Sequence, residues 1–329
     1  MTRALTALVL ALTLAVMLAT QRVRAATAGV TPAAGGVSLI AEPAAGVAPF
    51  LTLIGRAHHS IELTMYELED PQVDAALAAA ARRGVDVRVL LNGGYYDEPD
   101  STNTAAARYL AGRGVHVRST PTFFALTHQK TLTVDGRVSA VMTLNFDGLY
   151  ASTRDYAILD TRAADVAAIV STFDADWAGE RIDPSTGSGD LVWSPGAAPA
   201  VLALIDGARH SIELENEEMD DPAATDALCA AARRGVDVKI VMTYASEWRS
   251  AFDTLTGCGA HVRVYHGQAY YIHAKLLEVD TRTALVSSQN LSPTSLDDNR
   301  ELGIEVSAGG VIAALTRDFA ADYAGAEPY

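Results

Sequence analysis

Two periods of apolar residues alternate along the chain. Ile61 to Tyr66, Val85 to Leu91, Val115 to Arg118, Val138 to Leu144 and Tyr156 to Leu159 are short runs rich in β-branched and aromatic residues, and they read as strands. Between them Val73 to Arg83, Thr104 to Arg113 and Ala164 to Trp177 carry the Ala-rich pattern of helices, the first two stopped by Gly84 and Gly114. Asp135-Gly136 separates two strand-like runs and predicts a hairpin turn. Strand and helix alternating in this way predict an α/β layered fold.

The pattern then returns. His59-Ser60-Ile61-Glu62-Leu63 recurs as His210-Ser211-Ile212-Glu213-Leu214, and Ala81 to Val87 recurs as Ala232 to Val238, both 151 residues on (210 − 59 and 232 − 81). That period is far too long for a solenoid, so the chain is a duplication. The boundaries that follow are a first half over residues 38–183, a Pro, Ser, Thr and Gly-rich linker over 184–190, and a second half over 191–329.

Within the repeat lies the pattern that carries chemistry. Thr127-His128-Gln129-Lys130 to Asp135 and Ile272-His273-Ala274-Lys275 to Asp280 both read H-x-K-x-x-x-x-D. Both alternate in polarity and read as strands, which puts His and Lys of each motif on one face. The chain has only three lysines, Lys130, Lys239 and Lys275. One such match is expected by chance about 0.005 times, and two are present. The motifs are 145 residues apart (273 − 128), so six residues are missing from the second copy, a loss placed between Asn92 and Asn103. Context follows in parallel: Met142-Thr143-Leu144-Asn145 matches Ser287-Ser288-Gln289-Asn290, and Arg154-Asp155 matches Arg300-Glu301.

These residues resemble the phospholipase D superfamily, in which an HKD motif occurs twice, each copy followed by a Gly-Ser-x-Asn-like segment and a carboxylate. The chain departs from that pattern at Met142 and Ser287, where Gly is common, and at Asp155, where Glu is common. The resemblance implies two mixed-sheet halves with flanking helices, packed as pseudo-twofold partners with both motifs at one cleft. It also implies a metal-independent enzyme without cofactor, with His128 as nucleophile and His273 as acid and then base. Sequence symmetry alone does not separate those two roles.

The residue types suit a phosphodiester. One imidazole can attack phosphorus and leave again, while a second protonates the leaving oxygen. Lys130, Lys275, Asn145 and Asn290 supply donors for the non-bridging oxygens, and Asp155 and Glu301 are placed to orient the two rings. Asp135 and Asp280 fall on the other face of an ideal strand and lead into turns, so they are expected to brace the hairpins. Arg82, Arg83, Arg233 and Arg234 are expected at helix C-termini, and His58, His59 and His210 at the surface. Glu213, Glu215, Glu217 and Glu218 read as a solvated strand end and loop, a metal site being the alternative. Phe123, Phe124, Tyr265, Tyr270 and Tyr271 are candidates either for the mouth of a cleft or for ordinary packing.

Charge and compartment narrow the substrate. The formal net charge of −15 argues against a broad polyanion-binding surface. Arg3, the apolar run from Ala4 to Thr20 and the Val23-Arg24-Ala25 site read as a signal peptide over residues 1–25, with a flexible leader over 26–37. The expected location is therefore secreted or periplasmic, where Cys229 and Cys258 are able either to pair or to stay reduced. The function expected is an exported phospholipase D-type phosphodiesterase, acting as a monomer with a phospholipid substrate and water as acceptor. The rivals are a secreted nuclease of the same superfamily, a cardiolipin synthase-like head-group transferase, and a non-enzymatic module that keeps the fold.

Overall fold

The computed structural model describes residues 36–93, 103–184, 189–267 and 269–329. The expected signal peptide, nearly all of the leader, the middle of the linker and most of the Asn92–Asn103 loop lie outside the described residues.

The first half runs β1 (Val37–Ala41), α1 (Ala48–Gly55), β2 (Ser60–Met65), α2 (Pro71–Arg82), β3 (Asp86–Leu91), α3 (Asn103–Ala111), β4 (His116–Ser119), β5 (Thr131–Val134), β6 (Val138–Met142), β7 (Thr153–Arg154), β8 (Tyr156–Asp160) and α4 (Ala163–Ala178). The second runs β9 (Leu191–Ser194), α5 (Ala198–Gly207), β10 (Ser211–Glu215), α6 (Pro222–Arg233), β11 (Asp237–Thr243), α7 (Arg249–Gly257), β12 (His261–Tyr265), β13 (Tyr271–Ile272), β14 (Leu276–Val279), β15 (Thr283–Ser287), α8 (Pro293–Asp297), β16 (Glu301–Val306), α9 (Gly309–Gly325) and β17 (Glu327–Pro328). Strand order in the first sheet is β1-β8-β6-β5-β2-β3-β4. The second has β9-β16-β15-β14-β10-β11-β12 with β17 added at its end, so the two sheets repeat one topology. Each is mixed: β2, β3 and β4 pair in parallel, while β2–β5, β5–β6, β6–β8 and β1–β8 are antiparallel.

Local chemistry sets the elements in the same way twice. Asp70 caps α2 by accepting from Gln72 N at 2.7 Å, with Pro71 in the first turn; Asp221 accepts from Ala223 N at 3.0 Å ahead of Pro222. Gly84 and Gly235, both at φ +89°, turn the chain out of α2 and α6. Arg83 and Arg234 do not serve their own helices. Arg83 Nη2 donates to Ile54 O and Arg234 Nη2 to Ile205 O, at the C-terminal ends of α1 and α5. The disulfide Cys229–Cys258 joins α6 to the end of α7 with a Cα–Cα distance of 5.4 Å, and its 29-residue separation corresponds to about 3–4 kcal/mol in the chain-entropy picture.

The halves share a core. Val141, Tyr156, Ile158 and Ile169 of the first half pack with Leu276, Val286, Leu302, Ile304 and Leu315 of the second. β7 and β13 form a two-stranded parallel pair of their own, one strand from each half. The motif strands also start later than the alternation suggests. β5 begins at Thr131 and β14 at Leu276, each one residue after the motif Lys. The His-x-Lys segments pair across to the other half instead: His128 N and Gln129 N both donate to Arg300 O, and His273 N donates to Arg154 O.

Two buried ion pairs cross the same boundary. Arg154 reaches Asp322 of α9 (Nε–Oδ2 2.5 Å), and Arg300 reaches Asp176 of α4 (Nη2–Oδ1 3.0 Å). They are counterparts under the repeat, 146 residues apart in both members (300 − 154 and 322 − 176).

Candidate active site

β5 and β14 bring the two His-x-Lys segments to one cleft of about 430 Å³ at the boundary between the halves. Its lining includes His128, His273, Asn145, Asn290 and Glu301, with Tyr66, Glu67, Asp147, Glu217, Glu218 and Tyr271 around them.

Each ring is held by a carboxylate from the opposite half. His128 Nδ1 lies 2.9 Å from Glu301 Oε2, and His273 Nδ1 lies 2.8 Å from Asp155 Oδ1. The chain continues from Arg154 to Asp155 and from Arg300 to Glu301, so one dipeptide clamps the partner half's helix and orients the partner half's histidine. The carboxylates are themselves fixed. Thr143 Oγ1 donates to Asp155 Oδ1 at 2.5 Å, while Ser295 Oγ (2.5 Å) and Asn299 Nδ2 (3.0 Å) donate to Glu301 Oε1.

The two histidines differ. Nδ1 of His128 also faces Ser288 O at 3.0 Å. Two acceptors at Nδ1 require a hydrogen there, which leaves the lone pair of the neutral ring on Nε2. Burial, reinforced by the charge of Lys130, pushes His128 down to about 4 against the opposing pull of Glu301. His128 is therefore a neutral imidazole at pH 7 whose Nε2 has no hydrogen-bond partner among the described residues, the form a nucleophile needs. Nε2 of His273, by contrast, lies 3.6 Å from Glu217 Oε2, so a proton on it has a carboxylate close by.

The lysines differ too. Both reach back to the carbonyl of their own motif histidine at 2.7 Å. Lys275 is also paired with Glu217 Oε2 at 2.8 Å, whereas Lys130 sits 4.9 Å from the Tyr66 ring centroid. Burial and the neighbouring Lys275 push Lys130 down to about 7. Asn145 Nδ2 donates to Glu67 Oε2 at 3.0 Å, and the buried Oδ1 atoms of Asn145 and Asn290 have no hydrogen-bond partner among the described residues. Asp135 and Asp280 take no part in the cleft. Each accepts three backbone N–H groups, from His58, His59 and Ser60 and from Arg209, His210 and Ser211. These donors outweigh partial burial and hold both carboxyls below the usual range. His58, His59 and His210 are exposed.

The acidic run departs from its reading as a solvated strand end. Glu215 is fully buried, Glu217 and Glu218 line the cleft, and Glu213 is half-buried. The cause is that β10 points its C-terminal end into the boundary between the halves. Among the described residues no group of three or more His, Cys, Asp or Glu is arranged to hold a metal ion. Of the aromatic candidates only Tyr271 lines the cleft. Tyr265 and Tyr270 pack with Val241, Ile272 and Phe319, and Phe123 and Phe124 lie beneath Arg181 and Arg300. Where Gly is common in the resembled pattern, Ser287 is accommodated by Gly303 on the paired strand, where an added Cβ would lie 2.7 Å from Ser287 Cβ.

A duplicated α/β chain with twin His and Asn residues in one cleft, each pair backed by a buried Lys, is the arrangement of a phosphodiester-acting enzyme. A family model described as cardiolipin synthase, PLD-like domain, matches residues 50–177 and again 201–323, and the chain belongs to the phospholipase D superfamily. Cardiolipin synthase B of Escherichia coli strain K12 is 27% identical over 305 residues, covering 76% of this chain and 71% of that protein. Among solved structures, phosphatidylserine synthase of Haemophilus influenzae superposes with a TM-score of 0.67 at 13% identity, over 90% of this chain and 88% of that one. Polyphosphate kinase of Porphyromonas gingivalis gives 0.69 at 17% identity, over 86% of this chain and 46% of that one. At these identities the two structures speak to the fold.

Proposed function

We propose that the protein is a phosphatidyl transferase that moves a phospholipid's phosphatidyl group from one alcohol to another through His128. What supports this reading is the pair of unlike histidines at one cleft, one whose Nε2 has no partner among the described residues and one whose Nε2 has a carboxylate nearby. His128 Nε2 attacks phosphorus, and the P–O bond to the head-group alcohol breaks as His273 gives its Nε2 proton to the leaving oxygen. Lys130, Lys275, Asn145 and Asn290 hold the non-bridging oxygens. In the second step His273 takes the proton of an incoming hydroxyl, its oxygen attacks phosphorus, and the P–N bond to His128 breaks. Asp155 and Glu301 keep both rings in register. An alcohol replaces the water expected from sequence, because the similar proteins are named as cardiolipin synthases. Leu126 and Leu149, the latter exposed, offer apolar contact at the cleft for an acyl chain. Export remains our proposal for location, and the Cys229–Cys258 disulfide supports an oxidising compartment.

The test is to incubate purified protein with short-chain phosphatidylglycerol labelled in phosphate. Cardiolipin and glycerol are the expected products, with an acid-labile labelled protein adduct. His128→Ala should form no adduct, and His273→Ala should form it far more slowly than wild type. Phosphatidic acid as the sole lipid product would return the assignment to a hydrolase.

A further inference from the structure

The repeat is broken at one position of the cleft. Tyr66 and Glu217 are counterparts, 151 residues apart (217 − 66). Tyr66 lays its ring beside His128, with centroids 4.7 Å apart, and near Lys130, which has no carboxylate within ion-pair distance among the described residues. Glu217 instead places a charge among the equivalent groups. Its Oε2 is 2.8 Å from Lys275 Nζ, 3.5 Å from Asn290 Nδ2 and 3.6 Å from His273 Nε2, and its Oε1 accepts from Tyr271 OH at 3.0 Å. Lys, Asn and His of the second motif thus converge on one carboxylate oxygen. These are the groups that, on the reading above, serve a substrate's phosphate and leaving oxygens. Burial opposes ionisation of Glu217, but Lys275 and His273 outweigh it and hold the carboxyl well below its usual range. The anion is therefore present throughout the working pH range, and a phosphodiester cannot share Lys275 with it without strong like-charge repulsion.

The surroundings indicate what a displaced Glu217 meets. Glu67, Asp147 and Glu218 line the same cleft as acceptors, Ser152 and Thr153 line it with hydroxyl hydrogens already given to Leu149 O, and among the described residues its lining holds no arginine. Acceptors gathered in this way match a group that gives hydrogen bonds, as a hydroxyl does.

We propose that Glu217 determines specificity: it holds the place of a substrate oxygen in the free enzyme and, when a phosphodiester displaces it, accepts a hydrogen bond from a free hydroxyl of the alcohol being exchanged. The substrate class is a phosphodiester of a polyol. This rests on the cleft being a phosphodiester site. A head group with a spare hydroxyl repartners the expelled carboxylate, and one without leaves it buried and unpaired.

Two measurements on the full-length protein test this. Calorimetric titration with inorganic phosphate should show Glu217→Gln binding at least tenfold more tightly than wild type, about 1.4 kcal/mol. In the wild type, the 13C carboxyl resonance of Glu217 should shift on phosphate saturation, a reading that needs no variant to fold. Consumption of short-chain phosphatidylglycerol should exceed that of phosphatidylpropanol at least tenfold in kcat/KM for wild type, and the ratio should shrink to near unity in Glu217→Gln. Equal phosphate affinity in the two proteins with an unshifted Glu217 resonance would overturn the displacement. Tighter phosphate binding with an unchanged head-group ratio would overturn the specificity role, as would a stronger preference for an ethanolamine head group. Failure of both proteins to bind phosphate would instead remove the phosphodiester site and this proposal with it.

Discussion

Nδ1 of His128 has two acceptors and Nε2 has none among the described residues, and that asymmetry decides what the ring can do. Glu301→Gln keeps the shape but removes the charge that holds the tautomer, so turnover should fall by about 10²–10⁴-fold with folding intact, as when a triad carboxylate is neutralised. Steady-state rates beside circular dichroism check this. Asp155→Asn should act likewise through His273. The shifted groups also set a pH profile. With His128 at about 4 and Lys130 at about 7, the rate should rise as pH increases through the first value and fall as it passes the second, when Lys130 loses its charge. A rate still climbing from pH 7 to 9 would remove Lys130 from charge stabilisation. Stability follows by linkage. Lys130 has a folded value below its ordinary 10.5, so the unfolded chain binds more protons between about 7 and 10.5, and the stability contribution is lost as pH falls through that window. At pH 7 the folded state bears this cost. Lys130→Met should therefore abolish activity yet raise Tm, by about 2–4 °C for each kcal/mol relieved; a lower Tm at pH 7 would contradict it.

At the scale of elements, the short β7–β13 pair ties the site together. It places Arg154 against Asp322 and Glu42 O, and hands Asp155 to His273. Arg154→Met should cost about 3–5 kcal/mol, because Asp322 is left buried without its partner. Denaturant titration measures this, and a loss below about 1 kcal/mol would mean the charge finds another partner or water. The strand alternation, the hairpin at Asp135-Gly136 and the residue types of the cleft, His128 and Asn145 with their twins, were legible in sequence, because they depend on period and local type. The start of β5 and β14 was not. Alternation continues through His-x-Lys, but the backbone there bonds to Arg300 O and Arg154 O in the other half, a partner no local pattern reports. The carboxylates were legible as types, while their exchange between halves depends on how the halves pack. Glu217 was hidden for a related reason. A run of four acidic residues reads as solvated, and only the end of β10 entering the boundary turns one of them toward Lys275.

For the whole molecule, charge is the property that selects among substrates. The net charge is −15, and the cleft adds Glu67, Asp147, Glu217 and Glu218 around two buried lysines. A cationic groove that tracks a polymer backbone gains affinity by releasing counterions, and so loses it steeply as salt rises. This chain has the opposite field. Approach to an anionic lipid surface is opposed over a distance of roughly 10 Å at 0.1 M salt, and added salt shortens that range. Once a lipid has entered, the buried Lys130 and Lys275 are screened little, so binding in the cleft should hardly change. The rate on vesicles rich in phosphatidylglycerol should therefore rise between 50 and 300 mM salt. On dispersed short-chain lipid below its micelle concentration it should stay within about twofold over the same range. Plasmid DNA should remain intact throughout. The two lipid forms separate effects of the surface field from effects inside the cleft. A steep fall with salt on both, accompanied by nicking of the plasmid, would mean that a basic track exists elsewhere on the surface and that the cleft serves a polymer.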